Sequence, residues 1–214
     1  MVLRKKNTEY KPLSLPINKP FCELTHNETE ALFQWFLSHI SERIAYLSAF
    51  ASETKFGLRL ELDLSPTSLI PLWTWFLSVA EIERLEKKQQ AECDEIAGSS
   101  TMTFSDYITN RSDKRLSLFS EYILIDIGIY LGQVFVMNHP GIKWTYYEIP
   151  RTDFFVNRPV LSGFEDRRFS PPFKMYFEPI HMASIQASKL IKHNGAKDNL
   201  YNLYREWVTH ITTE

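Results

Sequence analysis

The feature of the sequence that most constrains the fold is the apolar run over residues 122–137, which Asp126 interrupts. The run is shorter than the roughly 20 apolar residues that a membrane-crossing helix needs. Because strands rarely exceed about ten residues, its length favours a helix buried in a protein core. Gly128 and Gly132 would lie on one face of that helix, where a neighbouring backbone could approach closely. We therefore predict a core helix over residues 114–137.

Charge and composition exclude several classes of protein. Lys+Arg total 24 and Asp+Glu total 26 in 214 residues, and 44% of the residues are hydrophobic, which is typical of an ordinary globular chain. The nearly balanced charge gives no footprint for sequence-independent nucleic-acid binding, which depends on many Lys and Arg side chains. Cys22 and Cys93 are the only cysteines and lie far apart, so the sequence contains no cysteine pair at the spacing of a zinc site. We expect no nucleic-acid partner and no metal.

The first residues of the chain are basic but do not resemble an export signal. Residues 1–21 carry several Lys and Arg side chains, and the apolar stretch that an export signal requires does not follow them. We therefore expect a cytoplasmic protein without a membrane partner. Three prolines at every fourth position prevent a helix in this segment. We predict an extended or mobile N-terminal arm over residues 1–22 and one domain over residues 23–214.

Hydrophobic periodicity and capping residues predict the helices. Thr25 or Asn27 can cap a first helix that continues to about Phe50. A second helix begins at Ser65 and Pro66, because serine caps helices well and proline suits their first position. The remaining helical predictions are an extension of the second helix to residue 90, the core helix over 114–137, and two C-terminal helices over 179–194 and about 200–211.

Alternating and β-branched segments predict the strands. Residues 56–63 alternate strictly between apolar and other residues, as a half-buried strand does. The later segments 142–149, 154–161 and 173–177 predict a meander, in which Pro159 favours an edge or bulged strand. The connecting segments are loops over 91–112, expected to be flexible, and over 162–172. The prediction is an α+β fold with a small, mainly antiparallel sheet of about four strands covered by helices.

No catalytic signature occurs in the sequence. The six histidines never fall at the spacing of a paired metal site. The serine-hydrolase elbow, the P-loop and the dinucleotide-binding motif are also absent from the sequence. We therefore predict no catalytic residue and no cofactor.

Asp126 is the most unusual polar residue, because it lies among isoleucines in the predicted core helix. A buried carboxylate must be paired, hydrogen-bonded or protonated. The hydroxyl of Tyr122 or Tyr130, one turn away on either side, or the guanidinium of Arg158 could satisfy it. A structural acid is the leading interpretation, and a functional acid is the alternative.

Two sets of residues are candidates for function. A ligand pocket between the core helix and the sheet would be lined by Asp126, Tyr130, Trp144, Asn157, Arg158 and His181. A protein interface on the loop over 162–172 would use Phe164, Arg167, Arg168 and Phe169. Arginine and aromatic side chains contribute most of the binding energy at protein interfaces. The second set therefore has the composition of a surface that binds a protein partner.

Two parts of the chain contain short motifs that occur together. They are LDLSPTSL over 62–69 with Leu72, Trp75 and Phe76, and Asp126-x-Gly128-x-Tyr130-Leu131-Gly132-x-Val134 with Trp144 and Asn157-x-Pro159. Together they resemble a family of small bacterial cytoplasmic proteins of unknown function. The resemblance implies a strand that leads into a capped helix, and a central helix that feeds a strand bearing tryptophan. It implies no activity. Gln133 occupies a position where a glutamate is often expected.

These observations lead to one main hypothesis and two alternatives. The main hypothesis is a non-enzymatic cytoplasmic protein that binds one protein partner, in the manner of an inhibitor or an immunity protein. The first alternative is a small-ligand-binding protein or enzyme with a pocket around Asp126. The second alternative is a structural subunit that associates with copies of itself.

Overall fold

The computed structural model describes residues 10–54, 60–84, 114–148, 153–191 and 195–212. It confirms the predicted α+β class. The helices are α1 (His26–Glu53), α2 (Leu69–Val79), α3 (Leu118–Asn138), α4 (Pro179–Ile191) and α5 (Asn199–Val208). The strands are β1 (Ile82–Arg84), β2 (Lys114–Leu116), β3 (Lys143–Tyr146), β4 (Pro159–Asp166) and β5 (Phe173–Phe177).

The predicted core helix exists as α3 and is buried along most of its length. Residues 114–116, predicted as its start, form β2 instead, and the Ser117 side chain caps the helix by accepting a hydrogen bond from the amide of Ser120. Among the described residues, α3 is the one helix long and apolar enough to cross a membrane, and 78% of its most apolar window is buried inside the protein. A methyl group on Gly128 would collide with the backbone of Ile180 in α4, and one on Gly132 would collide with the ring of Trp144. The predicted close approach of a neighbouring backbone is therefore confirmed at Gly128, whereas at Gly132 the close neighbour is a side chain.

Helix α1 is confirmed, and Thr25 is the residue that caps it. The Thr25 side chain accepts a hydrogen bond from the amide of Glu28, and the Glu28 side chain accepts one from the amide of Thr25. This reciprocal pair satisfies two amides that would otherwise lack partners at a helix start. Lys19 adds an ion pair with Glu28 at 2.7 Å. The start of α1 is thus determined by local sequence.

The predicted extension of the second helix to residue 90 is wrong for residues 80–84, while residues 85–90 lie outside the described part. Helix α2 ends at Val79, and β1 follows and pairs antiparallel with β2. The hydroxyl of Ser120 accepts a hydrogen bond from the amide of Glu81, and the amide of Ser117 donates to the carbonyl of Glu81. Through these hydrogen bonds, Glu81 contacts the start of α3 instead of continuing α2.

The predicted strand over 56–63 is wrong for residues 60–63, which form no strand, while residues 56–59 lie outside the described part. Side chains of α3 hold the end of this segment in place of a sheet. The amide of Leu64 donates to the Tyr130 hydroxyl at 3.0 Å, and the Leu64 carbonyl accepts from Asn138 at 2.8 Å. The alternation of apolar and polar residues in this segment places Leu60 and Leu62 against the core, although residues 60–63 pair with no strand of the described part.

Strands β3, β4 and β5 form the predicted antiparallel meander, with β4 in the centre. The predicted bounds of the middle strand, 154–161, are wrong, because β4 begins only at Pro159 and continues to Asp166, into the segment predicted as a loop. Pro159 is the first residue of β4, a position that tolerates proline even in a central strand, so of the two predicted alternatives the edge strand is wrong and the bulged strand agrees with the structure. The pairing of β4 with β5 shifts register between Leu161 and Phe164, as a bulge does. The described strands form two separate sheets, the three-stranded β3-β4-β5 sheet and the β1–β2 pair.

Residues 10–20 contain no helix or strand and pack against the helices. The C-terminal helices α4 and α5 begin where they were predicted, and Ile191 ends the described part of the first one. After α5, the chain returns to the sheet, where Ile211 pairs with Phe164. The predicted flexible loop over 91–112 lies outside the described residues.

Candidate functional site

Asp126 lies at a junction of three segments and is fully buried. Arg43 of α1 donates to its carboxylate twice, through Nε at 2.9 Å and through Nη2 at 2.6 Å. The hydroxyl of Tyr10 donates to the same carboxylate. Arg43 also donates to the carbonyl of Lys11 at 2.9 Å, so one guanidinium ties residues 10–11, α1 and α3 together. Asp126 therefore has the partners of a structural acid.

The partners of Asp126 differ from those that the sequence suggested. Arg43 and Tyr10 supply its hydrogen bonds, whereas the hydroxyl of Tyr130 bonds with Ser68 at 2.6 Å and accepts from the amide of Leu64. Burial raises the pKa of Tyr10 above its ordinary value, and the neighbouring carboxylate raises it further. Tyr10 therefore remains a neutral hydrogen-bond donor throughout the physiological pH range.

The predicted pocket residues do not converge on one place. Tyr130 is fully buried under the segment that precedes α2. Trp144 packs between Gly132 and Phe36, and its indole nitrogen donates to Gln133 at 3.3 Å. The predicted pocket around Asp126 is therefore occupied by side chains of the protein itself.

Asn157, Arg158 and His181, by contrast, lie near one another at the start of α4. The Arg158 guanidinium lies 4.7 Å from the ring centre of Phe21 and 4.9 Å from that of Phe154. The ring centre of Phe154 is 6.0 Å from that of His181. Asn157 has a φ of 60°, and its side-chain amide donates a hydrogen bond to the carbonyl of Phe21 at 2.7 Å. This group of residues joins the N-terminal segment to the sheet.

Glu178 belongs to the same group, and the sequence analysis missed it. Its side chain is 4% exposed, and its Oε2 accepts a hydrogen bond from the amide of His181 at the N-terminus of α4. Among the described residues, its Oε1 has no hydrogen-bond partner. The only signal in the sequence was an acidic residue directly before Pro179, which is a helix-start pattern.

Burial shifts the two titratable groups at the start of α4 in opposite directions. It raises the pKa of Glu178 to about 7, although the amide of His181 and the charge of Arg158 oppose the rise. It lowers the pKa of His181 to about 4, and the charge of Arg158 lowers it further. At neutral pH the imidazole is therefore uncharged, and the buried carboxyl group retains a proton more readily than an exposed glutamate does.

The predicted interface loop forms a compact turn between β4 and β5, and we call residues 167–173 the hairpin tip. Phe164 is 2% exposed and packs in the core against Phe135 and Phe177, so its assignment to the interface was wrong. Phe169 and Phe173 are 59% and 63% exposed, and their ring centres are 6.3 Å apart. Phe173, which was not among the predicted interface residues, is the first residue of β5.

Two arginines hold the base of the hairpin tip. Arg168 forms a bidentate pair with the Asp166 carboxylate, with contacts of 2.6 Å and 2.9 Å. Arg167 donates to Glu165 at 2.6 Å and to the carbonyl of Ile211 at 2.8 Å. Hydrogen bonds from Arg168 lower the pKa of Asp166 to about 2, so this pair stays charged at physiological pH. Bidentate pairs fix geometry, so the two phenylalanines are presented on an ordered turn.

Among the described residues, no cluster of three or more His, Cys, Asp or Glu side chains is arranged to hold a metal ion. Comparisons with protein-family models, curated proteins and solved structures find no match. The resemblance to small bacterial proteins therefore stays a prediction.

Proposed function

We propose that the protein acts by binding one protein partner through the hairpin tip and catalyses no reaction. The observation that supports this most is the pair of phenylalanines, Phe169 and Phe173, which are exposed together on a turn held by ion pairs. An exposed aromatic pair is costly in water unless a partner covers it. We further propose that the protein works in the cytoplasm of a bacterium, as an inhibitor or immunity protein does.

The chemistry of the hairpin tip suits a protein partner. Binding energy at protein interfaces concentrates in a few aromatic and arginine residues that enter pockets of the partner. Phe169 and Phe173 are such residues, and Arg168, whose side chain is 84% exposed, lies beside them. Because Arg168 is already held by Asp166, its position costs little further conformational entropy on binding.

A comparison of variants in affinity capture tests this proposal. The tagged protein is used to capture partners from a lysate of its own host, in parallel with F169S/F173S and with M137S. Met137 is 61% exposed at the end of α3 and provides a matched loss of exposed apolar surface away from the tip. We expect one stoichiometric protein with the unaltered chain and M137S, and at least about a tenfold lower yield with F169S/F173S.

Two outcomes of the capture would contradict the proposal. Equal recovery of the same partner by F169S/F173S would show that the hairpin tip does not bind it. Recovery of no protein by any of the three chains would remove the support for a stable protein partner.

A second candidate function, the binding of a small ligand, is favoured by the buried Glu178. Its Oε1 has no hydrogen-bond partner among the described residues, and a buried polar atom without a partner costs free energy that a ligand donor would recover. This candidate replaces the pocket around Asp126. Native mass spectrometry of the protein purified from its host tests it, since a retained small molecule that is lost in Glu178→Gln is the expected result. An identical mass for the folded and denatured chain would contradict it.

A further inference from the structure

We infer that two copies of the protein associate through β5, whose free edges pair antiparallel about a two-fold axis at Met175. The two three-stranded sheets would then form one continuous sheet. This inference goes beyond the proposed function and does not depend on it, because the partner is a second copy of the chain and the contact is a strand edge.

The position of β5 in the sheet is the first observation. In the described part of the chain, β5 lies at the end of the order β3-β4-β5 and pairs only with β4. Phe173 is 63% exposed and Tyr176 is 44% exposed. An exposed edge strand with aromatic side chains adheres to other strands unless charges or a covering element prevent it. Lys174 is the single charged residue in this strand.

The strand at the opposite edge of the sheet, β3, is different, because α1 packs on its side chains. The ring centre of Phe33 is 5.3 Å from that of Tyr146, and the ring centre of Phe36 is 5.1 Å from that of Trp144. Side chains of α1 therefore contact β3 from one face of the sheet. Within the described part of the chain, β5 is the edge strand that we assign to pairing.

The sequence of β5 complements itself in this arrangement. Pairing about Met175 places Lys174 of one copy opposite Tyr176 of the other, twice per dimer. Directly opposed residues have Cβ atoms about 5 Å apart, which allows an ammonium group to lie over an aromatic ring. The same register places the exposed Phe173 of one copy at the position opposite Phe177 of the other, whose own ring is buried against Phe135 and Trp207.

The geometry also predicts how strong the dimer is and what it leaves free. A pair of five-residue strands buries less than the roughly 1,600 Å² of a standard interface, so we expect dissociation in the micromolar range. Because the two strands run in opposite directions, the hairpin tips lie at opposite ends of the joined sheet. Each dimer would therefore leave Phe169 of both hairpin tips outside the paired strands, whereas Phe173 of each tip would lie within them.

Sedimentation velocity of the full chain from about 1 µM to about 500 µM tests the inference. We expect a concentration-dependent change from the mass of one chain to that of two. Tyr176→Lys would place two lysines opposite each other and should raise the dimer dissociation constant at least about tenfold. The double variant K174E/Y176K would place Glu opposite Lys and should restore the constant to within about threefold of the original.

A charge change on the other edge of the sheet provides the control. Lys143→Glu alters an exposed lysine of β3 and should leave the dissociation constant unchanged. The double variant contains the same change at Tyr176 as the single one, so its recovery separates a broken interface from a damaged fold. A monomer at every concentration, a dimer that Tyr176→Lys does not weaken, or a double variant as weak as the single one would overturn the inference.

Discussion

At the scale of single residues, the strongest determinant of the structure is the ion pair between Arg43 and Asp126, joined by the hydroxyl of Tyr10. Both charges are buried, with 9% of the Arg43 side chain and none of the Asp126 side chain exposed. A buried pair contributes little net stability when intact, but the loss of one member leaves an uncompensated charge. This asymmetry leads to a measurable difference between single and double variants.

We expect Arg43→Met to lower the free energy of unfolding by about 3–5 kcal/mol, because Asp126 then lacks its main partner. The double variant R43M/D126L removes both charges and should recover most of this loss. Tyr10→Phe removes one donor and should cost about 1–3 kcal/mol. Urea unfolding measures all three values. A double variant less stable than Arg43→Met would contradict the structural role given to this pair.

The shifted pKa values of Glu178 and His181 predict that the stability of the protein depends on pH. Single variants of the two residues separate their contributions. Stability falls with rising pH wherever the folded state binds more protons than the unfolded state. For Glu178 this happens between its ordinary pKa of 4.5 and its folded value of about 7. For His181 the unfolded state binds more protons between about 4 and its ordinary 6.5, so stability rises with pH there. The two contributions therefore offset each other across most of this window.

The Glu178→Gln variant removes the contribution of Glu178, which lowers the stability of the protein as the pH rises. Relative to the unaltered protein, its free energy of unfolding should increase as the pH rises from about 4.5 to about 7, by at most about 3 kcal/mol. The His181→Asn variant should show the opposite trend between about 4 and 6.5. Urea unfolding at a series of pH values measures the difference from the unaltered protein, in which other titrating groups cancel. Parallel curves for all three proteins would contradict the shifted pKa values.

At the scale of elements, the sequence predicted those whose determinants are local and missed those fixed by distant contacts. Helix α1 was predictable because Thr25 and Glu28 cap it and its apolar residues recur every three or four positions. The segment around Leu64 was mistaken for the end of a strand because its hydrogen bonds go to Tyr130 and Asn138, far away in the sequence. No local pattern could identify these partners.

The candidate sites follow the same rule. Burial of Asp126 was predictable from its apolar neighbours, but its partner Arg43 is 83 positions away. Any of several residue types, including arginine and tyrosine, could have donated hydrogen bonds to the Asp126 carboxylate equally well. The exposure of Phe169 agreed with the composition of its loop. Phe164 looked similar in the sequence, and only the extension of β4 to Asp166 places it in the core.

The contact of α3 with its neighbours gives a prediction at this scale. Gly128→Ala and Gly132→Ala would insert a methyl group into the backbone of Ile180 and the ring of Trp144, respectively. We expect each to lower the free energy of unfolding by about 1–3 kcal/mol or more, because a packed core resists added volume. Gly141→Ala is the matched control, since nothing lies within 4 Å of the added methyl group. Thermal unfolding of the three variants measures the effect, and equal losses would contradict the packing described.

At the scale of the whole molecule, the buried and the exposed groups have separate tasks. The buried acids Asp126 and Glu178 hold segments together or cap a helix, and aromatic residues fill the core between the helices and the sheet. The hairpin tip extends from the sheet and carries two exposed phenylalanines on a turn fixed by ion pairs. This separation is what a binding protein requires, because a rigid frame lowers the entropic cost of presenting its contact residues.

Photocrosslinking in living host cells tests the central claim, protein binding through the hairpin tip, most directly. A photoreactive phenylalanine derivative replaces Phe169 in one chain and the equally exposed Met137 in another. The account predicts one discrete covalent adduct with another protein from position 169 and none from position 137. The absence of an adduct at position 169, or the same adducts from both positions, would contradict it.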